Sequence, residues 1–524
     1  MGTLTREAMT SLPAVDLAAL IARGGATSVE VVEAHIERIE RVNPALNAVV
    51  VKRFDEARAE AREADRRRAS GELLGPLHGV PITIKESLDV AGTPSTFGLP
   101  SRATILAERD DAFVARLRGA GAVILGKTNV AQCLLYYESD NPVYGRTNNP
   151  WNLDRTPGGS SGGEAAIIAA GGSPLGLATD IGGSVRVPAT FCGVPGIKPT
   201  AGRTPDLGRH SLPIGQQAIV SQVGVLARTV ADVALGLEII NGVNVAPPLP
   251  LGDHRRVNAA ELRVAYYVDD GTFAVAPAVS RAVREAAQVL KARGTSVTEW
   301  NPPAVGEAVH LCFALFSADG GRGIRRTLGR DKVDPRVRTL VTVAKMAGPA
   351  RAAASRMLKA VGQPTMGRFL EHFGYTHASQ YWDLVEAQMD YRSRFSEGLE
   401  RDGIDVILCP ACALPAYTHG ASNDLGVAGG YAVLYNLLGY PAGVVPVDRV
   451  RKEEEVGRKP SRDRVEKAAL MVEQGSAGLP VGVQVIARPW REHEALAVMR
   501  VIEQAADFRP ASTGDVPIGL AGSS

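Results

Sequence analysis

The sequence has almost no net charge: 58 Lys and Arg stand against 56 Asp and Glu, a balance of +2 over 524 residues. No global basic field points to nucleic acid, and no nucleic-acid partner is expected. Cysteine is equally scarce. Cys133, Cys192, Cys312, Cys409 and Cys412 are too few for a disulfide framework in so long a chain, which fits a reducing, cytoplasmic setting. "CPAC" at 409 to 412 has redox or zinc spacing, but no second pair accompanies it and it ends the apolar run "VIL". It reads as structural, so no metal and no cofactor is expected. The opening "MGTLTREAMTSLP" lacks the apolar core of a signal peptide, and Arg6 spoils a myristoylation pattern. The longest uncharged run, Leu425 to Val447, could span a bilayer by length alone. Its five glycines, Asn436, Pro441 and Pro446 argue instead for a buried helix running into a buried strand. No internal repeat is visible.

What is present is alternation. "TSVEVVEAHIERIERVN" opens with Thr27 and Glu30 in a capping-box pattern, and Val31, Val32, His35, Ile36 and Ile39 follow at helical spacing. His35 reads as a packed core histidine. Residues 52 to 68, charged with interleaved alanines, read as a solvated helix. "GVPITI" and "GAVILG" read as strands. "ELRVAYY", "PAVSRAVREAAQVLKARG" and "TSVTEW" form a strand–helix–strand unit, and "DVILCP", "AGVVPV" and "PVGVQVIA" supply late strands. Arg449 to Lys467, dense in both charge signs, reads as an exposed excursion between two of them. Such alternation predicts an α/β protein with a mixed, largely parallel sheet. The length suits about three ordinary domains or one large domain with insertions.

The chemistry concentrates in residues 156 to 188, "TPGGSSGGEAAIIAAGGSPLGLATDIGGSVRVP", which hold four serines and no histidine or cysteine. Gly158 to Gly162 satisfies G-x-S-x-G, the nucleophile elbow of α/β-hydrolases. That elbow follows a hydrophobic strand and needs a late histidine. Here the preceding "NNPWNLDRTP" is a loop, and only His493 and His419 stand late in the chain. The successive N–H groups of Ile181, Gly182, Gly183 and Ser184 are a better lead. They follow an apolar run, and the glycines let the backbone approach a substrate oxygen closely, as an oxyanion hole requires. Ser184, at the end of that turn, is the natural nucleophile. Without a histidine its base must be a lysine kept neutral by burial. Lys85 stands directly after the strand "GVPITI". The residues alone leave open whether it is that base or a solvated surface charge.

"GVPITIKE", "TPGGSSGGE" and "TDIGGSVRVPATFCGVPGIKPT" together resemble the amidase signature family, and the resemblance extends to "GLPVGVQVIARPW" near the end. It implies one domain over residues 1–524. That domain has a core motif region at 75–230, a variable substrate-channel or cap region at about 300–400, and a large mixed, mostly parallel twisted sheet covered by helices on both faces. It implies a Ser–Ser–Lys triad of Lys85, a bridging Ser160 after a cis peptide bond, and the nucleophile Ser184. Ile181, Gly182, Gly183 and Ser184 would give the oxyanion hole. Ser161, Asp180 and Arg186 match supporting positions, and Ser173 matches none. The implied substrate is a small-molecule amide, and the resemblance allows a homodimer.

Within the family, "DNPVYGRTNNPWNLDRTPGGSSGGE" and "YAVLYNLLGYPAGVVPV" are similar to fatty-acid amide hydrolases. In that group Leu134 and Leu135 align with acyl-pocket residues, and the Leu134 carbonyl falls near the substrate. The alternative is the A subunit of a tRNA-dependent glutamine amidotransferase, but "QCLLYY" suggests a greasy acyl group rather than a polar clamp for glutamine. The animal enzymes carry an N-terminal transmembrane segment that this sequence does not show. Residues 336 to 372, with seven Arg or Lys against one Glu and interleaved Val, Leu and Met, are the expected substitute. They read as short helices, broken at Gly348-Pro349 and Gly362 to Pro364, that cover the channel or touch a membrane peripherally.

Overall fold

One sheet of eleven strands organises the chain in the computed structural model, which describes residues 4–206, 215–244, 249–506 and 508. Residues 207–214 of the core-motif range lie outside the described residues, as do parts of both termini. In chain order the strands are β1 (Val49–Lys52), β2 (Pro81–Lys85), β3 (Val123–Thr128), β4 (Leu175–Asp180), β5 (Gly196–Lys198) and β6 (Gln222–Ala227). They continue as β7 (Arg263–Tyr266), β8 (Ser296–Glu299), β9 (Val406–Cys409), β10 (Ala442–Arg449) and β11 (Pro480–Ala487). Their order across the sheet is β1-β3-β2-β4-β6-β5-β10-β11-β9-β7-β8.

The sheet is mixed, as expected, but its weighting is not. Among the described residues, parallel pairing is confined to two blocks, β3-β2-β4 and β9-β7-β8. The other six pairings are antiparallel, so "mostly parallel" is corrected. Alternation of strand and helix in sequence suggests parallel neighbours only where a helix returns the chain to the strand's starting edge. The β7–β8 unit does this through the helix Pro277–Ala292, with Arg263 opposite Ser296. Between β5 and β6 no helix intervenes among the described residues, and β6 instead fits antiparallel between β4 and β5.

Both faces are buried. Leu175 and Leu177 join one apolar cluster and Ala178 the other, as the two-residue period of a strand dictates. Helices Ser28–Leu46, Phe54–Ala69 and Gly162–Ala169 cover one side, and Val230–Ile240, Pro277–Ala292 and Glu492–Ala505 the other. The capping box of Thr27 and Glu30 is formed. His35 is buried with Nδ1 2.8 Å from the Val31 carbonyl oxygen, and burial pushes its imidazole down to about 4. It is a core residue. All five cysteines are buried and unpaired.

The uncharged run forms the buried helix Gly430–Leu438 and then β10, and among the described residues no helix is long and apolar enough to cross a membrane. The excursion after β10 is mostly exposed, as expected, but it is anchored. Arg458 bonds both Glu466 and Glu473, which holds the helix Arg464–Glu473 down. Residues 336 to 372 form three short helices, Pro335–Lys345, Gly348–Ala360 and Pro364–Glu371, broken where the Gly-Pro pairs predict. One of their seven cations is no surface charge: Arg336 is buried among three carboxylates.

Candidate active site

Parallel β2 and β4 end side by side, which brings Lys85 at the end of one close to Asp180 at the end of the other. Lys85 is completely buried. Its Nζ lies 2.8 Å from Ser160 Oγ, 2.8 Å from Thr179 Oγ1 and 3.4 Å from the Thr179 carbonyl oxygen. Burial depresses its ammonium to about 7, although Asp180, Asp206 and Glu164 pull the other way. A neutral amine has two N–H donors and one lone pair. If both N–H groups serve the two Thr179 oxygens, the lone pair is left for the Ser160 hydroxyl. That is the orientation a general base needs.

The buried Ser160 follows a cis Gly159–Ser160 bond. Ser139 braces this turn: its hydroxyl donates to the Gly158 carbonyl at 3.2 Å and accepts the Gly162 N–H at 2.8 Å. Below Lys85, Glu164 accepts from the Thr83 hydroxyl and, at 2.7 Å, from the Thr128 hydroxyl. Burial raises its carboxyl to about 7.

Ser184 stands at the end of the turn after β4, with 7% of its surface exposed. Asp180 holds that turn. It accepts the Gly183 N–H at 2.8 Å and the Val185 N–H at 3.1 Å, and pairs with Arg186 at 2.9 Å. Burial would raise the Asp180 carboxyl, but Arg186, its hydrogen bonds and Lys198 hold it well below the usual carboxylate range. Arg186, fully buried, also reaches the Ala432 carbonyl, Gln484 and Asn436, tying the turn to the helix Gly430–Leu438 and to β11. Asp180 takes the Gly183 N–H, which leaves those of Ile181, Gly182 and Ser184 as the cradle candidates. Gly183 has φ +104°, and a Cβ there would come within 2.8 Å of Ala432 Cβ. Only glycine fits.

Ser184 forms part of the wall of a cavity of about 150 Å³, together with Leu134, Ile181, Phe313, Phe316 and Val433. Among the described residues, no charged side chain lines it. A second cavity of about 120 Å³ shares Leu135, Tyr136, Tyr137, Phe313 and Leu340 with the first. Cys133 and Leu134 have φ of 55° and 60°, a left-handed pair without glycine. The sequence-based candidates Lys85 and Ser160 are thus in contact, while Ser184, Ile181, Gly182 and Leu134 meet in one cavity. The late histidines join neither group. His419 Nε2 faces the Leu153 carbonyl at 3.1 Å, and His493 starts the helix Glu492–Ala505 with its ring against Gly252. The elbow reading therefore fails.

Four further positions have no role in the sequence analysis, although three of them lie inside its motifs. Thr179 orients Lys85, Glu164 and Ser139 support it and Ser160, and the Tyr137 hydroxyl donates to the Gly182 carbonyl at 2.6 Å. Glu164 lies inside "TPGGSSGGE", so its place on a glycine-rich helix is the available clue. Phe313 and Phe316, which close the cavity, come from distant sequence and leave none.

Residues 30–496 match the family model "Amidase". Fatty acid amide hydrolase 1 of Caenorhabditis elegans is 34% identical over 523 residues, covering 96% of this chain and 90% of that protein. The A subunit of glutamyl-tRNA(Gln) amidotransferase from Roseiflexus castenholzii is 32% identical over 509 residues, covering 93% of this chain and 94% of that protein. Among solved structures, a fatty acid amide hydrolase superposes with a TM-score of 0.82 at 26% identity, covering 96% of this chain and 87% of that one. Likeness of sequence and of fold over nearly the whole length places the chain in the amidase signature family of C–N hydrolases.

Proposed function

We propose that the protein, acting as one amidase signature domain, cleaves amides of fatty or other apolar acids through an acyl-enzyme on Ser184. Neutral Lys85 takes the proton of Ser160 as Ser160 takes that of Ser184. Ser184 Oγ attacks the amide carbonyl, and the resulting oxyanion enters the N–H groups of Ile181, Gly182 and Ser184. The relay returns its proton to the departing amine, the C–N bond breaks, and water then hydrolyses the ester to free acid and Ser184.

The observation that carries the substrate class is the uncharged lining of the cavity that contains Ser184. Glutamine would need partners for its α-ammonium and α-carboxylate, and burying them unpaired is costly. This lining offers them hydroxyls but no opposite charge, which argues against an ammonia-releasing role on glutamine. An acyl chain gains about 0.8 kcal/mol per buried methylene, roughly fourfold in affinity. Hydrolysis rates of amides of one amine, from acetyl to long-chain acyl, test the reading. A kcat/KM that climbs with chain length and then levels supports it. A flat series, or glutamine as the best substrate, overturns it.

A further inference from the structure

Arg336 begins the first of the three short helices and is buried among carboxylates on both sides of a boundary. Its guanidinium reaches Glu138 at 2.9 Å and Asp140 at 2.8 Å on the core side, and Asp334 at 2.7 Å on its own side. The same group lies 4.4 Å above the Tyr136 ring. Glu138 also accepts the N–H groups of Gly420 and Ser422, and Asp334 is the N-cap of the helix Pro335–Lys345. Gln132 adds a neutral strap, taking the Asp334 N–H on its Oε1 and giving its amide to the Lys332 carbonyl.

Two strips of the acyl cavity are thereby joined. The core strip carries Leu134, Leu135 and Tyr137, and the helix strip carries Leu340, Val341 and Ala344, all lining the same space. We infer that Arg336 is a positioning residue for acyl-length specificity: its fork fixes the helix strip against the core strip and so sets the width of the cavity. The inference rests on the acyl-amide reading above.

The physics is asymmetric. One cation faces three anions, so its removal leaves Glu138 and Asp140 opposite Asp334 with no counter-ion, and the strips repel. A planar guanidinium fixes both distance and orientation through several N–H groups, whereas an ammonium supplies attraction without a fork. Lysine should therefore restore only part of the effect.

The test is the ratio of kcat/KM for palmitoyl and acetyl amides of one aromatic amine, with the melting temperature measured alongside. General destabilisation lowers both rates together and leaves the ratio alone. Arg336→Met is expected to lower the long-to-short ratio at least tenfold, Arg336→Lys to give an intermediate ratio, and Asp140→Asn, which loses one arm, a smaller fall. Should Arg336→Met fail to fold, the other two variants carry the test. A wild-type ratio in either Arg336→Met or Arg336→Lys overturns the clamp. A ratio near one in the wild-type enzyme itself overturns the acyl-amide reading, and the clamp with it.

Discussion

The floor of the site and its cover are held by different means. The floor comprises Lys85, Ser160 and the turn from Asp180 to Ser184, fixed by two strand ends and by hydrogen bonds among fully buried groups. The cover comprises the helices between Val305 and Glu371, which pack through Phe313, Phe369 and, just past the last helix, Phe373, and which are tied to the core by directional contacts such as the Arg336 fork. A network of directional bonds in a dry interior holds its atoms closely, whereas apolar packing with few directional ties tolerates more change of shape. On the proposed function, the floor would run one chemistry while the cover selects the substrate.

Substitutions separate the two. In the floor, Lys85→Ala is expected to cut amide hydrolysis by several orders of magnitude at every acyl length. Residues acting as a unit are grossly non-additive, so adding Ser160→Ala should be little worse than the poorer single variant. Steady-state rates of the three variants check this, and losses that multiply would break the relay. Gly183→Ala is next. Its Cβ meets Ala432 and its φ is unsuited to alanine, so the turn must shift and the loss should reach about 100-fold or more, again for all amides.

The pH profile follows in size. Lys85 has its proton affinity lowered by burial, to about 7, so it is neutral above that pH and carries a proton below it. Only the neutral form can accept from Ser160. The expected kcat/KM therefore falls about tenfold per pH unit below about 7 and is level above it. A profile flat through that range would remove Lys85 from the role of base. The smallest effect belongs to the cover. Leu340→Ala widens the acyl cavity and is expected to shift the long-to-short ratio only a few-fold, read in the same graded series.

The floor is largely legible in the sequence because its motif is contiguous and its needs are local. Glycine where φ is positive, a serine at the end of the turn and a lysine after an apolar strand can all be read from neighbours in the chain. The motif puts the Gly183 N–H in the cradle, because nothing in sequence reveals that Asp180, three residues earlier, bends back to take it. The sheet's direction is misread for a similar reason, since pairing partners such as β5 and β10 are far apart in the chain. The cover is legible only as composition. Its breaks at Gly348-Pro349 and Gly362 to Pro364 fall where expected, but in sequence Arg336 looks like the six other cations of its segment. Only the fold closes Glu138, Asp140 and Asp334 around it.

The most direct test of the account is to trap the acylated residue. A fluorophosphonate reacts with an activated serine and leaves a covalent mark that peptide mapping can place. The account predicts the label on the peptide containing Ser184, and a large loss of labelling rate in Lys85→Ala. Label on Ser160 with Ser184 unmodified would contradict it.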